Sequence, residues 1–328
     1  MRVLVTGGCG FIGSHFVKRL VAGGDEVVVL DKLTYSGNLA NLEGVDHTFV
    51  HGDIADPVAV AGAGEGCHAV VNFAAETHVD RSILAAGDFV RTDVVGTHVL
   101  LEWARDSGVR LVQVSTDEVY GDVPAGAASK EDDPLRPSSP YAASKAGGDL
   151  QVLAYVRTFG VEAVITRGAN AYGPFQHPEK MIPLFVTNAL DGEPLPVYGD
   201  GRQQRAWVHV EDKCAAIDLV LRKGEPGGVY NIGGEERDNL EVTKLILELS
   251  GADPGLVRHV ADRPGHDRRY GLDSARIHAL GWKPRRAFEQ GLAETVAWYR
   301  ERRDWWEPIK SGEYRRYYDQ QYAARLRE

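Results

Sequence analysis

The stretch "RVLVTGGCGFIGSHF" (residues 2–16) constrains this chain more than any other. An apolar run ends in Gly7, and Gly10 and Gly13 follow at three-residue spacing as a helical pattern begins. Glycines at a strand–helix junction permit a tight turn, close approach of a pyrophosphate, and close packing of helix on strand. The helix N-terminus then offers free N–H groups and a positive dipole end to an anion. The spacing is GxxGxxG, one residue longer at the front than the dehydrogenase fingerprint GxGxxG. A glycine cluster alone marks only a turn. Placed directly after the first strand and opening a helix, it predicts a dinucleotide loop.

The rest of the first half agrees. Near-continuous apolar runs at 26–31, 47–53, 69–75, 110–116 and 161–168 read as strands buried on both faces. Helical patterns lie between them near 12–23, 88–106 and 140–159. The alternation predicts an α/β doubly wound parallel (Rossmann) sheet. After residue 168 Pro and Gly break the pattern, with helical stretches near 210–223, 240–250 and 288–303. The reading is a dinucleotide-binding domain over 1–168 and a smaller mixed α/β substrate domain over 169–328. A strand near 228–233 is expected to rejoin the first sheet. The charged tail "YRRYYDQQYAARLRE" (314–328) is expected on the surface.

Composition excludes some partners. The formal net charge of −10 and the lack of a long basic run argue against nucleic acid or an anionic membrane. Cys9, Cys67 and Cys214 are far apart and form no CxxC, so neither a metal site nor a disulfide framework is expected, and a reducing cytoplasm fits. The glycine-interrupted N-terminus reads as a strand, not a signal peptide.

Asp31 ends the second strand, where a carboxylate accepts from adenosine ribose hydroxyls and repels a 2′-phosphate; this favours NAD over NADP. Asp53, ending the third strand, is placed to meet the adenine edge or to cap a turn. Tyr141 and Lys145 in "SSPYAASKAGG" are four apart and share a helix face. An ammonium beside the phenol favours phenolate, which can take a proton from an alcohol as hydride leaves its carbon. "LVQVSTDEVYGD" (111–122) sets Thr116, Asp117 and Glu118 at the end of a buried strand. Two adjacent acids there are either a solvated turn or an acid and a base, since close carboxylates do not both ionise easily.

Together GxxGxxG and YxxxK resemble the extended short-chain dehydrogenase/reductases that act on nucleotide sugars. "AAETHVDRSI", "STDEVYGD", "YGPFQHPEKMIPL", "YGDGRQQRAWVHVED", "YNIGG" and "DRPGHDRRY" resemble the dTDP-glucose 4,6-dehydratase branch, over residues 2 to about 300. That resemblance implies bound NAD, lined by Phe11, Ile12, Lys32, Ile54, Ala74 and Ala75 beside the glycines. It implies Glu118 as base at sugar C5, Asp117 as acid at C6 and Thr116 near O4. Thr77, Asp80 and Ser82 would line the sugar pocket. Asn170, Glu179, Lys180, Pro196, Tyr198, Arg205, Arg263 and His266 would hold the nucleoside diphosphate of the expected substrate, dTDP-glucose. His78 reads as a packed residue. The chain departs from the branch at Asp93 (usually Asn), Gly168 (Cys), Ala169 (Ser), Ala171 (Asn) and Ala206 (Asp). Helices 88–106 and 140–159 would form a homodimer interface. The alternatives are a UDP-hexose 4-epimerase, a 4,6-dehydratase of another nucleoside diphosphate hexose, and a non-catalytic dinucleotide sensor.

Overall fold

The computed structural model describes residues 1–322. Six strands of the first half are β1 (Arg2–Thr6), β2 (Glu26–Asp31), β3 (Thr48–His51), β4 (Ala69–Asn72), β5 (Arg110–Thr116) and β6 (Ala163–Gly168). Later come β7 (Asn170–Tyr172), β8 (Leu195–Tyr198), β9 (Gln204–His209), β10 (Val229–Ile232), β11 (Glu235–Asp238) and β12 (Val257–Val260). A seven-stranded parallel sheet has the order β10-β6-β5-β4-β1-β2-β3. This is the expected doubly wound sheet. The order reverses between β1 and β4, where the crevice for a ligand opens beyond the carboxyl ends of the strands.

The strand runs are continuous because both faces are covered. On β1, Val3 and Val5 enter one core cluster and Leu4 the other; on β2, Val27 and Val29 alternate with Val28 and Leu30. Each such buried side chain contributes roughly 1.5–3 kcal/mol relative to exposure. The helix Pro140–Phe159 starts where the sequence says it must. Ser139 caps it by accepting from Ala142 N, Pro140 takes the first turn, and Gly160 ends it in the left-handed region at φ 70°.

Between 86 and 107 the expected single helix is three pieces: Ala86–Phe89, a π-helical turn Val90–Gly96, and Thr97–Ser107. The wide turn lets Gly96 sit against Ile54, where a Cβ would lie 2.4 Å from the Ile54 Cδ1.

The second half builds a three-stranded sheet, β11-β9-β7, and a two-stranded one, β12-β8. They pack with the helices Met181–Asp191, Asn239–Ser250 and Phe288–Glu301 around Tyr172, Phe185, Trp207, Phe288 and Trp306. The tail differs from its expected surface position. Tyr314, Tyr318 and Tyr322 on the helix Glu313–Tyr322 are buried in this core, while Arg315 and Arg316 face solvent. The tyrosine spacing at four-residue intervals makes one apolar stripe. Residues 323–328 of that tail lie outside the described residues.

Candidate active site

The carboxyl ends of the sheet and the inner face of the second half enclose a cavity of about 400 Å³. Of the site residues expected from sequence, all but Asp117 and Ser82 line it.

At one end lies the glycine loop. Gly7 has φ 66°, and a Cβ there would sit 2.6 Å from Ala74 N. A Cβ on Gly13 would lie 2.2 Å from Gly7 O. The helix Phe11–Ala22 has no acidic residue in its first turn, so its positive end is uncompensated by protein charge. Phe11, Ile12, Ala74 and Ala75 wall the loop, and Ile54 backs it. Asp31 is buried at the far end, accepting from Cys9 N at 2.9 Å and Leu33 N at 2.8 Å. Burial raises its pKa, with those two N–H groups opposing. Lys32 does not offset Asp31. It pairs with Asp53 at 3.0 Å, which Arg91 also meets at 3.2 Å. The cradle, the free helix end and the buried acid Asp31 fit NAD and disfavour an added 2′-phosphate.

At the centre, the end of β5 delivers Thr116, Asp117 and Glu118. The Thr116 hydroxyl donates to Asp117 Oδ1 at 3.1 Å and accepts from Glu118 N at 3.3 Å. Asp117 lies behind Thr116, 2% exposed. Burial and then the neighbouring Glu118 push its pKa up to about 7. Glu118, on the cavity wall, is also raised by burial, but Arg263, Arg205 and Lys180 pull it back. The two adjacent acids therefore sit in unequal surroundings.

Tyr141 and Lys145 face the same centre from the helix Pro140–Phe159. More charges surround this pair than the two residues alone supply. Lys145 Nζ donates to Val114 O at 2.8 Å and lies 3.9 Å from Asp93 Oδ1. Burial, Glu118 and Asp93 hold the Tyr141 phenol well above its usual range, opposed by a hydrogen bond with Thr116. Asp93 is itself buried, accepts from Ser144 Oγ at 2.7 Å, and is raised to about 6 by burial.

At the other end the cations and aromatics gather. Arg205 donates to the carbonyls of Gln204 and Asp267 and stacks on Tyr270, 4.2 Å from the ring centroid. Lys180 Nζ donates to Thr77 O. Asn170, Pro196 and Tyr198 complete the wall. Tyr198 donates to Asp80 Oδ2 at 3.1 Å, and Arg263 meets Asp80 Oδ1 at 3.3 Å. Asp80 thus sits with an arginine and not only against a sugar site. His266 is held by Asp262 at 2.6 Å, and burial then Arg263 lower its pKa to about 4.

Two of the expected residues have partners of their own. Ser82 is fully buried away from the cavity, its hydroxyl donating to Val79 O at 2.6 Å, so it is helix structure. Glu179 lines the cavity, but its carboxylate is taken by Arg81 at 3.0 Å. Burial would raise Glu179; His78, His177, Lys180 and Arg81 outweigh it and bring the pKa to about 2. His78 is buried between Glu179 O and Tyr317, as a packed histidine. Lys213, Trp207 and Tyr322 also line the cavity and were not singled out from sequence. Trp207 and Lys213 sit in "AWVHVEDKCAA", which reads as an ordinary strand and amphipathic helix.

Among the described residues no His, Cys, Asp and Glu cluster could hold a metal, and no helix is long and apolar enough to cross a membrane. The three cysteines are free.

The chain is 55% identical over 324 residues to the dTDP-glucose 4,6-dehydratase of Streptomyces niveus, covering 95% of this chain and 96% of that protein. The crystal structure of DesIV (dTDP-glucose 4,6-dehydratase) from Streptomyces venezuelae, with NAD and TYD bound, matches at TM-score 0.92 and 57% identity. It covers 94% of this chain and 100% of that one. The UDP-glucose 4-epimerase of Thermus thermophilus, in complex with NAD, matches at TM-score 0.87 and 36% identity over 92% of this chain and 100% of that one. The NAD dependent epimerase/dehydratase family matches residues 3–233. With sheet, loop and matched length in agreement, the chain belongs to the NAD dependent epimerase/dehydratase family.

Proposed function

We propose that this chain is an NAD-dependent dTDP-glucose 4,6-dehydratase, forming dTDP-4-keto-6-deoxyglucose. The observation that carries the reading is the Thr116–Asp117–Glu118 run, with Thr116 and Glu118 on the cavity wall beside Tyr141 and Asp117 buried directly behind Thr116. An epimerase has to oxidise and reduce one carbon only, and needs no such pair of acids. The greater identity to dehydratases than to the epimerase supports the same choice.

NAD, when bound along the Gly7–Gly13 loop and Asp31, supplies hydride acceptance at the sugar C4 and hydride return at C6. Tyr141 takes the proton of the C4 hydroxyl, with Thr116 orienting that oxygen. The C4 ketone acidifies the C5 hydrogen, which Glu118 removes. Asp117, held protonated by burial and by the charge of Glu118, gives its proton to the departing C6 hydroxyl. Arg205, Lys180 and Arg263 face the diphosphate, and Tyr198 the nucleoside. Planar guanidinium donors suit phosphate oxygens.

On this reading residues 1–168 with β10 form the cofactor domain, and the remainder from 169 the nucleotide-sugar domain. The exposed Val90, Val95, Leu150 and Phe159, on the helices expected to pair, support a homodimer. Three free, buried thiols support a reducing cytoplasm. The test is turnover of dTDP-glucose beside UDP-glucose and the mannose and galactose analogues. The expected product is a 4-keto-6-deoxy sugar from dTDP-glucose, with no free NADH released. Formation of dTDP-galactose alone would make the chain an epimerase.

A further inference from the structure

A second lysine reaches the site from an element outside the YxxxK helix. Lys213 lies in the first turn of the helix Val210–Lys223, lines the cavity, and is 5% exposed. Its Nζ donates to Ala169 O across 2.8 Å. It occupies a notch made by Gly168, the last residue of β6. A Cβ on Gly168 would lie 2.6 Å from Lys213 Cε and 2.7 Å from Nζ. Gly168 is not in the left-handed region, so its backbone does not demand glycine; its bare Cα instead leaves room for the lysine end. Gly168 is also the register partner of Thr116 on β5. The notch therefore abuts the strand end that carries the two acids.

The charges agree with this placement. Among the cations acting on Asp117, Lys213 is the strongest, ahead of Arg205. Asp117 is in turn the foremost charge acting on Lys213. Burial takes the lysine down to about 8, with Asp117 opposing. The other groups facing the pair are Glu118 beside Asp117, and Lys145 and Cys214 beside Lys213.

We propose that Lys213, seated in the notch left by Gly168, is a positioning residue for Asp117, stabilising the carboxylate formed when Asp117 gives its proton to the departing C6 hydroxyl. The proposal rests on the dehydratase reading above. In that step Glu118 takes the C5 proton and the freed electron pair forms the C5–C6 double bond. The C6–O bond breaks, its electrons leave with oxygen, and the Asp117 proton completes water. A buried carboxylate appears where a neutral acid stood, and such a charge is costly without a cation near it.

Two variants test this, with pH–rate profiles of dehydration and stopped-flow absorbance of reduced nicotinamide. Lys213→Met removes the charge and keeps the length. It is expected to move the alkaline limb up by roughly one pH unit and slow dehydration by about 10- to 100-fold. C4 oxidation is unaffected, so reduced nicotinamide accumulates on the enzyme. Gly168→Ala keeps the lysine but displaces its flexible end, and is expected to give a smaller shift of the same sign. That limb belongs to the coupled acids, so its displacement is the quantity compared. A limb that stays in place in folded Lys213→Met, or in Gly168→Ala if the first variant does not fold, overturns the proposal. Asp117→Asn separates the two ideas. Full dehydration by that variant would overturn the acid assignment itself, whereas an inactive Asp117→Asn beside an unmoved limb would overturn only the role of Lys213.

Discussion

The Thr116 hydroxyl donates to Asp117 Oδ1, while Asp117 Oδ2 is buried with no hydrogen-bond partner among the described residues. An ionised carboxylate would leave a full charge on that unsolvated oxygen, whereas a protonated one carries hydrogen there. Asp117→Asn keeps the shape and removes the transferable proton. Dehydration should fall by about 10²- to 10⁴-fold, with C4 oxidation retained and reduced nicotinamide visible by absorbance. Glu118→Gln should instead abolish exchange of the C5 hydrogen with deuterated solvent, followed by mass spectrometry.

The Gly13–Gly7 approach predicts a separate defect. Gly13→Ala places a methyl 2.2 Å from Gly7 O, so the helix Phe11–Ala22 must back away from the loop. NAD affinity should fall by at least about tenfold, and stability by roughly 1–3 kcal/mol. Isothermal titration with NAD and urea unfolding measure the two effects independently.

Asp93 predicts a gain with a definite pH dependence. Its folded pKa, raised to about 6 by burial against the opposing charge of Lys145, exceeds the ordinary value of 3.8. Above pH 6 the ionised form is present in both states and burdens the folded one. Between 6 and 3.8 only the folded state takes up the proton, so the burden disappears as pH falls. Asp93→Asn can still accept from Ser144. It should therefore stabilise the protein by roughly 1–3 kcal/mol at pH 8 and progressively less towards pH 5. Denaturant titrations at the two pH values check this.

The buried tail gives a fourth expectation. Tyr314 packs under the second core and donates to Pro178 O, two residues from Lys180 in the cavity wall. Tyr314→Ala should cost about 3 kcal/mol and raise KM for the nucleotide sugar more than it lowers kcat. Steady-state kinetics and thermal unfolding would show it.

Much of the cofactor side was legible in the sequence because it depends on local pattern. The continuous apolar runs of β1 and β2, the glycine spacing, and the Ser139-Pro140 start of the YxxxK helix are each written within a few residues. What was not legible depends mostly on partners far along the chain, Ser82 excepted, whose partner is three residues away. Ser82 looked available, but its hydroxyl is spent on Val79 O. Glu179 lines the cavity as expected, but its pairing with Arg81, 98 residues earlier, could not be read locally. The phenol–lysine argument assumed only two charges, whereas Glu118 and Asp93 converge on Tyr141 from other elements. The tail read as surface because its arginines dominate composition, while its tyrosines share one helix face. Lys213 was invisible because its burial depends on an absent side chain at residue 168.

The return of β10 has a consequence for how this chain can be cut or assembled. After leaving the main sheet at Gly168 the chain travels sixty residues and comes back to pair Val229–Ile232 with Ile165–Gly168. A fragment ending at 168 would thus have an open flank, with the N–H and C=O groups of β6 exposed as a template for foreign strands. Continuity of sequence and integrity of the sheet do not coincide here. The strand β5 lies just inside β6, so the last strand to return closes the sheet beside the one that carries Thr116.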